Sequence, residues 1–284
     1  MSIDLRAGPG ARRRTVVGAL AAAPLALAGA QRAAAAALPT VSMEAVLLAA
    51  QWDPAKADEA VTPGAGPGVR LVERALADRG LLASGYVDGH FGTRTVAAYA
   101  AWQRSLGHSG LGATGLPGRA SLERLGQGRF TVVRPVATGG RTTVQGFACN
   151  ARTLAMLQAA RTRAGVPVVV EQGSYSPGAD PTSAGTHDGG GALDLDAERL
   201  TAAQRRTLVN ALREVGFAAW LRTPAQGRWP LHVHAVAISD PDLSRPAADQ
   251  VGDYFEGRNG LANGAPDDGP AVRKRTWEQF QRGD

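Results

Sequence analysis

Two short segments, residues 183–196 and 229–234, hold most of the residue types that could do chemistry. Together they contain three of the five histidines of the chain. In the first segment, three consecutive glycines lie between His187 and Asp194. Glycine lacks Cβ and tolerates positive φ, so the backbone can fold sharply here and direct both side chains to one point. An imidazole and a carboxylate held together in this way suit a shared metal ion.

The second segment contributes the pair His232 and His234, within an apolar run from 231 to 238 that is typical of a strand. Residues two apart on a strand face the same side, so the two imidazoles should project together. A His/Asp/His set suits Zn²⁺ with a fourth position left for water, an arrangement more typical of catalysis than of structure. Taken separately, the glycine run could be only a loop, and the histidine pair could merely face solvent or a polar core.

Taken together, the pattern Ser-x-x-x-His-x-x-Gly-x-Ala-x-Asp of residues 183–194, followed by His-x-His, resembles the zinc D-alanyl-D-alanine carboxypeptidase family. That family shares its fold with the hedgehog signalling domain. The serine stands four residues before the first histidine, where the family usually has it two before. The resemblance implies the following roles: zinc ligands His187, Asp194 and His234; oxyanion stabilisation by a protonated His232; and substrate contacts from Tyr175 and Ser183.

The chain departs from this family at two functional positions. The family's general base is an acidic residue three positions before the last zinc ligand, and here that position is Leu231. A bend at Pro230 would let a carboxylate placed at 231 reach the metal. Replacement bases in this sequence are Asp188, Asp196 or Glu171. The arginine that usually follows Gly-Tyr in the family and holds the substrate carboxylate is replaced by Ser176, so a positive clamp must come from Arg222 or Arg228, or the substrate has no free carboxylate there.

Residues 66–126 are predicted to form a small unit of three helices. Apolar residues recur at helical spacing in the first, a loop of Asp88, Gly89, His90, Phe91 and Gly92 precedes the second, and a third short helix follows. This order resembles the peptidoglycan-binding domain of bacterial cell-wall enzymes. The resemblance implies that Asp88, Gly89, Phe91 and Gly92 lie near the peptidoglycan groove. His90 and His108 are isolated, and we expect both to be exposed loop residues.

The N-terminus has the composition of an export signal. Arginines 12–14 precede an apolar run from 16 to 28 and a small-residue zone from 33 to 37. The run is too short and alanine-rich for a spanning helix of about 20 strongly apolar residues, so we expect no stable membrane anchor. The consecutive arginines resemble a twin-arginine signal, although Thr15 stands where that motif prefers phenylalanine. The sequence therefore predicts a secreted or cell-wall protein.

The export signal also explains the basic composition. The chain has 31 basic and 25 acidic residues, and without residues 1–37, which hold five arginines and one aspartate, its net charge falls to +2. We therefore expect no nucleic-acid partner. Cys149 is the only cysteine, so the protein has no internal disulfide and Cys149 should be a small buried residue. We expect a monomer.

The remaining pattern predicts an α+β domain with a small antiparallel sheet and flanking helices. Asn150 and Thr201 are predicted helix caps, and apolar segments at 166–171, 217–221 and 231–238 are predicted strands that do not alternate strictly with helices. The predicted boundaries are an export signal (1–37), a linker (38–65), a peptidoglycan-binding domain (66–126), a zinc carboxypeptidase-like domain (130–270) and a flexible tail (271–284).

Two function classes follow from these observations. The first is a secreted zinc peptidase that binds peptidoglycan and cleaves D-Ala-D-Ala or related stem-peptide bonds. The second is a cell-wall-binding protein that keeps the metal site but has little or no turnover. The predicted binding domain supports both equally, and the missing acid at Leu231 separates them.

Overall fold

A computed structural model describes residues 37–56 and 60–284 of the protein. The predicted export signal, apart from Ala37, lies outside these residues. The strands are β1 (Thr40–Ser42), β2 (Thr131–Val133), β3 (Arg141–Val144), β4 (Phe147–Asn150), β5 (Val170–Gln172), β6 (Ala192–Asp196), β7 (Phe217–Arg222) and β8 (His232–Ala237). The α-helices are α1 (Met43–Trp52), α2 (Gly66–Ala77), α3 (Thr93–Ser105), α4 (Arg119–Gly126), α5 (Ala151–Ala164), α6 (Ala202–Glu214), α7 (Arg245–Phe255) and α8 (Trp277–Arg282). None of the described helices is long and apolar enough to cross a membrane.

The sheet that carries the candidate site has the strand order β5-β6-β8-β7 and is antiparallel throughout. One of its faces is apolar and packs with α5 and α6 into a core that includes Leu193, Leu195, Val233 and Ala235. These residues alternate along β6 and β8 with polar residues, which therefore point to the opposite face. The predicted α+β class with a small antiparallel sheet agrees with this architecture.

The opposite face of the same sheet is apolar at one end and polar at the other. At one end Ala218, Trp220 and Val236 belong to a second core that includes residues of α1 and α7. Farther along β8 the corresponding positions are the polar His232 and His234, and α7 reaches His234 through the side chain of Gln250. The docking of α1 and α7 therefore leaves a polar recess at the end of the sheet.

The segment 38–65, which we predicted to be a linker, contains part of this core. Ser42 caps α1 by accepting a hydrogen bond from the Ala45 amide, 3.3 Å away. Helix α1 then buries apolar side chains, among them Val46 and Leu47. A helix that is apolar around most of its circumference must be covered on several sides, and α1 is covered by both the three-helix unit and the sheet domain.

The three-helix unit of α2, α3 and α4 agrees with the prediction for residues 66–126. Strand β1 precedes the unit, β2 follows it, and the two pair in parallel. Its apolar residues share one continuous core with α1, α7 and one sheet face, and residues 38–284 form one compact unit. The three-helix unit is therefore packed onto the sheet domain through α1.

The loop before α3 is held by two buried carboxylates. Asp53, just after α1, accepts a hydrogen bond from the Phe91 amide (2.9 Å). Glu73 on α2 accepts hydrogen bonds from the Gly89 amide (2.8 Å) and the Thr95 hydroxyl (3.1 Å). The phenyl ring of Phe91 is fully buried. The backbone amides of Gly89 and Phe91 and the ring of Phe91 therefore serve the loop's conformation and packing.

Other members of this loop differ in exposure. Asp88 is exposed, and its Oδ1 accepts a hydrogen bond from the His90 amide, 2.8 Å away. Gly92 is half-buried beneath the His90 ring. The prediction that His90 is exposed was wrong, because its Nδ1 lies 2.7 Å from the carbonyl of Ala60 and the side chain is buried. His108 is exposed, as predicted.

The C-terminal segment 271–284, which we predicted to be a flexible tail, is anchored by α8. Thr276 is fully buried and caps α8 through a capping box with Gln279. Glu278 forms an ion pair with the buried Arg152 at 2.8 Å. Leaving such a buried guanidinium unpaired costs several kcal/mol, so this pairing favours a docked C-terminus.

Replacement of Glu73 by glutamine should remove a pH-dependent part of the stability. Burial raises the pKa of Glu73 from 4.5 to about 7, against the hydrogen bonds that lower it. The folded state therefore prefers the protonated carboxyl. This preference adds to the free energy of unfolding in full below pH 4.5, and the addition is lost as the pH rises through about 7. At about 1.4 kcal/mol per pKa unit, the wild type should lose up to about 3 kcal/mol relative to Glu73→Gln.

The measurement is urea denaturation of both proteins from about pH 4.5 to about pH 8. The glutamine amide can still accept from Gly89 and donate to Thr95, so the variant should fold. Glu123→Gln, in an exposed ion pair with Arg119, is the control and should follow the wild type. Parallel stability curves for wild type and Glu73→Gln would show that the carboxyl has an ordinary pKa in the fold.

Candidate metal centre

Three imidazoles converge on the carboxylate of Asp194 in the polar recess of the sheet. The Nδ1 atom of His234 lies 2.7 Å from Asp194 Oδ1, and the Nε2 atom of His187 lies 3.3 Å from Asp194 Oδ2. The Nε2 atom of His232 is farther away, 3.8 Å from Asp194 Oδ1. Potential ligand atoms of His187, Asp194 and His234 all lie within 4.8 Å of one another. These are the three residues that the resemblance names as zinc ligands.

In each histidine the ring nitrogen that points away from Asp194 has a hydrogen-bond partner. That partner determines whether the nitrogen that faces Asp194 carries a lone pair. His187 Nδ1 lies 2.9 Å from the carbonyl oxygen of Gly173, and a carbonyl can only accept. Nδ1 therefore carries the hydrogen, and in the neutral ring Nε2 is left with a lone pair. His232 follows the same logic, because its Nδ1 lies 2.8 Å from the Pro230 carbonyl.

For His234 the far-side partner is Gln250 on α7, whose Oε1 lies 2.8 Å from His234 Nε2. The amide nitrogen of Gln250 donates to the carbonyl of Gly260 at 2.9 Å. This second bond fixes which end of the amide faces the ring. His234 Nε2 must then donate, so in the neutral ring it is Nδ1 that faces Asp194.

This arrangement brings electron-rich atoms together and calls for a cation between them. Two imidazole lone pairs and a carboxylate would repel one another unless a proton or a metal ion lay among them. His187 Nε2 is buried and has no hydrogen-bond partner among the described residues. Two imidazole nitrogens and a carboxylate oxygen are a ligand set that suits Zn²⁺. The residues present therefore fit the metal that the resemblance implies.

The pKa shifts of the cluster show where a proton competes with a metal ion. Burial raises the pKa of Asp194, but the two neighbouring imidazoles outweigh burial and hold it well below its usual range. Burial lowers the pKa of His234, which favours the neutral ring that a metal requires. Burial also lowers the pKa of His187, but Asp194 more than offsets it and the net shift is upward. A proton therefore competes with a metal at His187.

The register of the sheet positions these side chains. Asp194 lies directly opposite His234, and Asp196 directly opposite His232, on the neighbouring strands β6 and β8. Directly opposed residues point to the same face, with Cβ atoms about 5 Å apart. On the other flank of β8, Trp220 lies opposite His234 with its ring roughly parallel to the imidazole. Strand pairing alone thus places two of the three ligands.

The third ligand, His187, is placed by a loop that packs closely against the segment after β8. A Cβ at Gly189 would overlap the backbone of Asp242 and Ser244. Of the three glycines in the loop only Gly191 has positive φ, at 79°. The glycine run is therefore needed for close approach to the segment after β8. The sequence had predicted only its role in the bend.

The two predicted substrate contacts, Tyr175 and Ser183, differ in whether they line the cleft in front of the cluster. Ser183 lines the cleft in front of the cluster, and its hydroxyl donates to the carbonyl of Asp180 at 2.8 Å. Tyr175 is not among the residues that line the cleft. Its hydroxyl donates to Asp242 at 2.7 Å, so its side chain supports the glycine loop rather than facing a substrate.

The cleft has a volume of about 560 Å³ and contains one of the three candidate bases, Glu171. The pairing of β5 with β6 shifts register between Val170 and Gln172, which leaves Glu171 as the extra residue of a bulge. Bulges re-aim side chains near active sites. Partial desolvation of this exposed side chain, with help from Asp196, raises the pKa of Glu171. Asp188 and Asp196 do not line the cleft.

Leu231 does not line the cleft either, because it packs against the apolar core on the other face of the sheet. The predicted bend at Pro230 does not turn this residue toward Asp194. Of the two arginines that we considered as a clamp, Arg222 is buried and lines the cleft, whereas Arg228 is exposed and does not. No pattern in the sequence indicates Gln250, whose position depends on the docking of α7.

Loss of the Gln250 carboxamide should weaken metal binding without removing a ligand. In Gln250→Leu, position 250 has no acceptor that keeps the hydrogen of neutral His234 on Nε2. The tautomer whose Nδ1 lone pair faces Asp194 is then no longer favoured. Loss of such a partner typically lowers metal affinity by about 10- to 100-fold. Competition with a chromogenic zinc chelator measures this affinity.

Gln226→Leu is the matched control. Gln226 lines the same cleft, but its Oε1 accepts from the Thr223 amide at 3.0 Å and it makes no hydrogen bond to a histidine. Its affinity for zinc should equal that of the wild type. Unchanged affinity in Gln250→Leu would mean that His234 is oriented by its strand alone.

Comparison with known proteins covers the three-helix unit and not the metal cluster. Residues 65–125 match the family model "Putative peptidoglycan binding domain". No curated protein and no solved structure matches the chain, and the resemblance of residues 130–270 to zinc carboxypeptidases is not supported by these comparisons. The match agrees with the predicted binding domain at 66–126 and with a cell-wall location. The three-helix unit of α2, α3 and α4 is therefore a peptidoglycan-binding domain, and peptidoglycan is its expected partner.

Proposed function

We propose that this protein is a zinc peptidase of the bacterial cell wall that binds peptidoglycan and hydrolyses D-Ala-D-Ala or related stem-peptide bonds. The observation that carries the proposal is the set of lone pairs that His187 and His234 direct at Asp194, which requires a cation. The adjoining cleft of about 560 Å³ is large enough for a short peptide. The peptidoglycan-binding domain supports a substrate within the wall.

In the proposed chemistry, a few residues have separate roles. His187, Asp194 and His234 would hold the zinc, which when bound would supply Lewis-acid activation of a carbonyl and of a water molecule. His232 presents Nε2 to the same recess, and once this nitrogen is protonated it can donate to the oxyanion of a tetrahedral intermediate. The Pro230 carbonyl holds the other side of that ring, so the donor is oriented before substrate arrives.

Glu171 is the proposed general base. It is the only one of the three candidate carboxylates that lines the cleft, and the bulge directs it away from the regular strand pattern. An exposed carboxylate at the edge of the site can accept a proton from the attacking water and pass it to the leaving amine. This role compensates for the leucine at position 231.

A second candidate function is a wall-binding protein that retains the metal without turnover. The observation that favours it is the position of Leu231, which packs in the apolar core and offers no proton acceptor. The two functions share the metal and the wall affinity. They differ in whether peptidoglycan is cut.

The decisive test uses the chain from residue 38 onward, loaded with zinc and incubated with purified peptidoglycan, followed by mass spectrometry of the released fragments. We expect about one zinc per chain and release of D-alanine or of shortened stem peptides. His187→Ala should lose both the zinc and the products. The same variant should still pellet with peptidoglycan, because the binding domain does not include His187.

The alternatives give different results. Zinc binding and pelleting without any new fragment would favour the non-catalytic wall protein. Fragments that persist in His187→Ala, or a zinc content far below one per chain, would contradict the zinc peptidase.

Glu171→Gln should lower the rate of peptide hydrolysis while zinc content is unchanged. Loss of general-base help typically costs about 10²- to 10⁴-fold in kcat. The control is Glu198→Gln, an exposed glutamate near the same edge that does not line the cleft. A rate within about twofold of wild type for Glu171→Gln would exclude it as the base.

A further inference from the structure

The side chain of Gln172 carries an unused hydrogen-bond donor in the cleft beside the metal cluster. Its Nε2 atom is buried and has no hydrogen-bond partner among the described residues, although the residue lines the cleft. The other two glutamines of the cleft are engaged, since Gln226 accepts from a backbone amide and Gln250 bonds both His234 and a backbone carbonyl. A buried donor without a partner is costly. Its position therefore indicates an acceptor that a ligand supplies.

A β-bulge brings this donor to the metal cluster. The ladder between β5 and β6 passes from Val170 directly to Gln172, whose partner is Asp194. Glu171 and Gln172 therefore stand together opposite the single residue Asp194, which is the pattern of a bulge. On a regular strand, consecutive side chains point to opposite faces, and only one of the two could face the cleft. Because both line it, the bulge delivers a carboxylate and an amide to the same side of the sheet.

Gln172 and His232 flank the carboxylate of Asp194 from two different strands. Strand β6, which carries Asp194, lies between β5 and β8 in the sheet. Gln172 on β5 is paired with Asp194, and paired residues have Cβ atoms about 5 Å apart. On the other flank, His232 Nε2 lies 3.8 Å from Asp194 Oδ1. An oxygen atom of a substrate bound beside the cluster can therefore meet a donor from each side.

A carboxamide suits this position because it is neutral and always carries its hydrogens. The amide of Gln172 donates at any pH, whereas His232 must be protonated before its Nε2 can donate. A neutral donor also adds no positive charge that would repel a cation held by Asp194. Gln172 therefore complements His232 and does not duplicate it.

We propose that Gln172 is a catalytic residue whose Nε2 donates to the carbonyl oxygen of the cleaved peptide bond. This inference rests on the proposed peptidase function and adds a residue to its site. Water adds to the carbonyl carbon and gives a proton to Glu171, while the electron pair of the carbonyl π bond moves to the oxygen that Gln172 holds. When that pair returns, the C–N bond breaks and Glu171 passes the proton to the leaving amine. A donor fixed beforehand stabilises the oxygen most when it is charged.

The test compares two peptides that cannot be cleaved, each titrated calorimetrically with the zinc-loaded chain from residue 38 onward. Both derive from diacetyl-L-lysyl-D-alanyl-D-alanine. In one, a tetrahedral phosphinate replaces the cleaved amide and places an anionic oxygen where the oxyanion would form. In the other, a ketomethylene group keeps a neutral carbonyl oxygen there. We expect the native protein to bind the phosphinate more tightly.

Gln172→Met keeps the length of the side chain and removes the donor. It should weaken binding of the phosphinate by about tenfold to a hundredfold, because a hydrogen bond to a charged atom is lost. Binding of the ketomethylene peptide should weaken by only about fivefold, since that hydrogen bond is neutral. For a cleavable peptide, kcat should fall by about 10²- to 10³-fold, with a smaller change in KM.

Two further variants and a stability measurement separate this role from a structural one. Because the donor of Gln172 is unpaired in the free protein, Gln172→Met should resist urea at least as well as the wild type. Gln172→Glu presents only acceptors once ionised, so it should lose more phosphinate affinity than Gln172→Met. The matched control is Gln226→Met, whose amide lines the same cleft but accepts from a backbone amide. It should bind both peptides as the wild type does.

Unchanged phosphinate affinity in Gln172→Met would overturn the inference, and continued cleavage of peptidoglycan would then leave the peptidase proposal standing. A native protein that does not prefer the phosphinate would overturn it too. So would a less stable Gln172→Met that weakens both peptides equally, because that result assigns a structural role. A selective loss of phosphinate affinity in a protein that releases no fragments would support the donor and contradict the peptidase. If Gln172→Met does not fold, the same comparison on the shorter Gln172→Asn decides.

Discussion

The repulsion among the lone pairs around Asp194 is the constraint on which the rest of the site depends. Each of the three histidines gives the hydrogen of its far nitrogen to a fixed acceptor, so the near nitrogens of His187 and His234 face the carboxylate with electron pairs. Only a cation reconciles this geometry. The glycine loop, the register of β6 with β8 and the carboxamide of Gln250 position these groups around the place for that cation.

The position of the cleft follows from how one sheet face is shared. Helices α1 and α7 cover the apolar end of that face, and the cleft lies at the end that carries the histidines. Because α1 also packs against α2 of the binding domain, the anchor on peptidoglycan and the cleft belong to one continuous body.

Much of the local structure could be predicted from the sequence, because it depends on neighbouring residues. The cap at Asn150 and the capping box of Thr201 with Gln204 are as expected, and so is the meeting of His187, Asp194 and His234. What could not be predicted depends on contacts distant in the chain. The segment at α1 looked like a linker because its partners lie about 200 residues away, as the hydrogen bond from the Ser239 amide to Gln51 illustrates. The contact of Gln250 with His234 likewise exists only once α7 has docked.

The proposed chemistry depends on a metal ion between the near nitrogens of His187 and His234 and the carboxylate of Asp194. The most direct measurement is anomalous diffraction at the zinc absorption edge from crystals of the chain grown without chelator. We expect one anomalous peak within bonding distance, about 2.0 to 2.2 Å, of His187 Nε2, His234 Nδ1 and an Asp194 oxygen. A zinc-replete crystal without that peak, in which His234 Nδ1 and Asp194 Oδ1 stay in direct hydrogen-bond contact, would contradict it and would assign the cation to a proton.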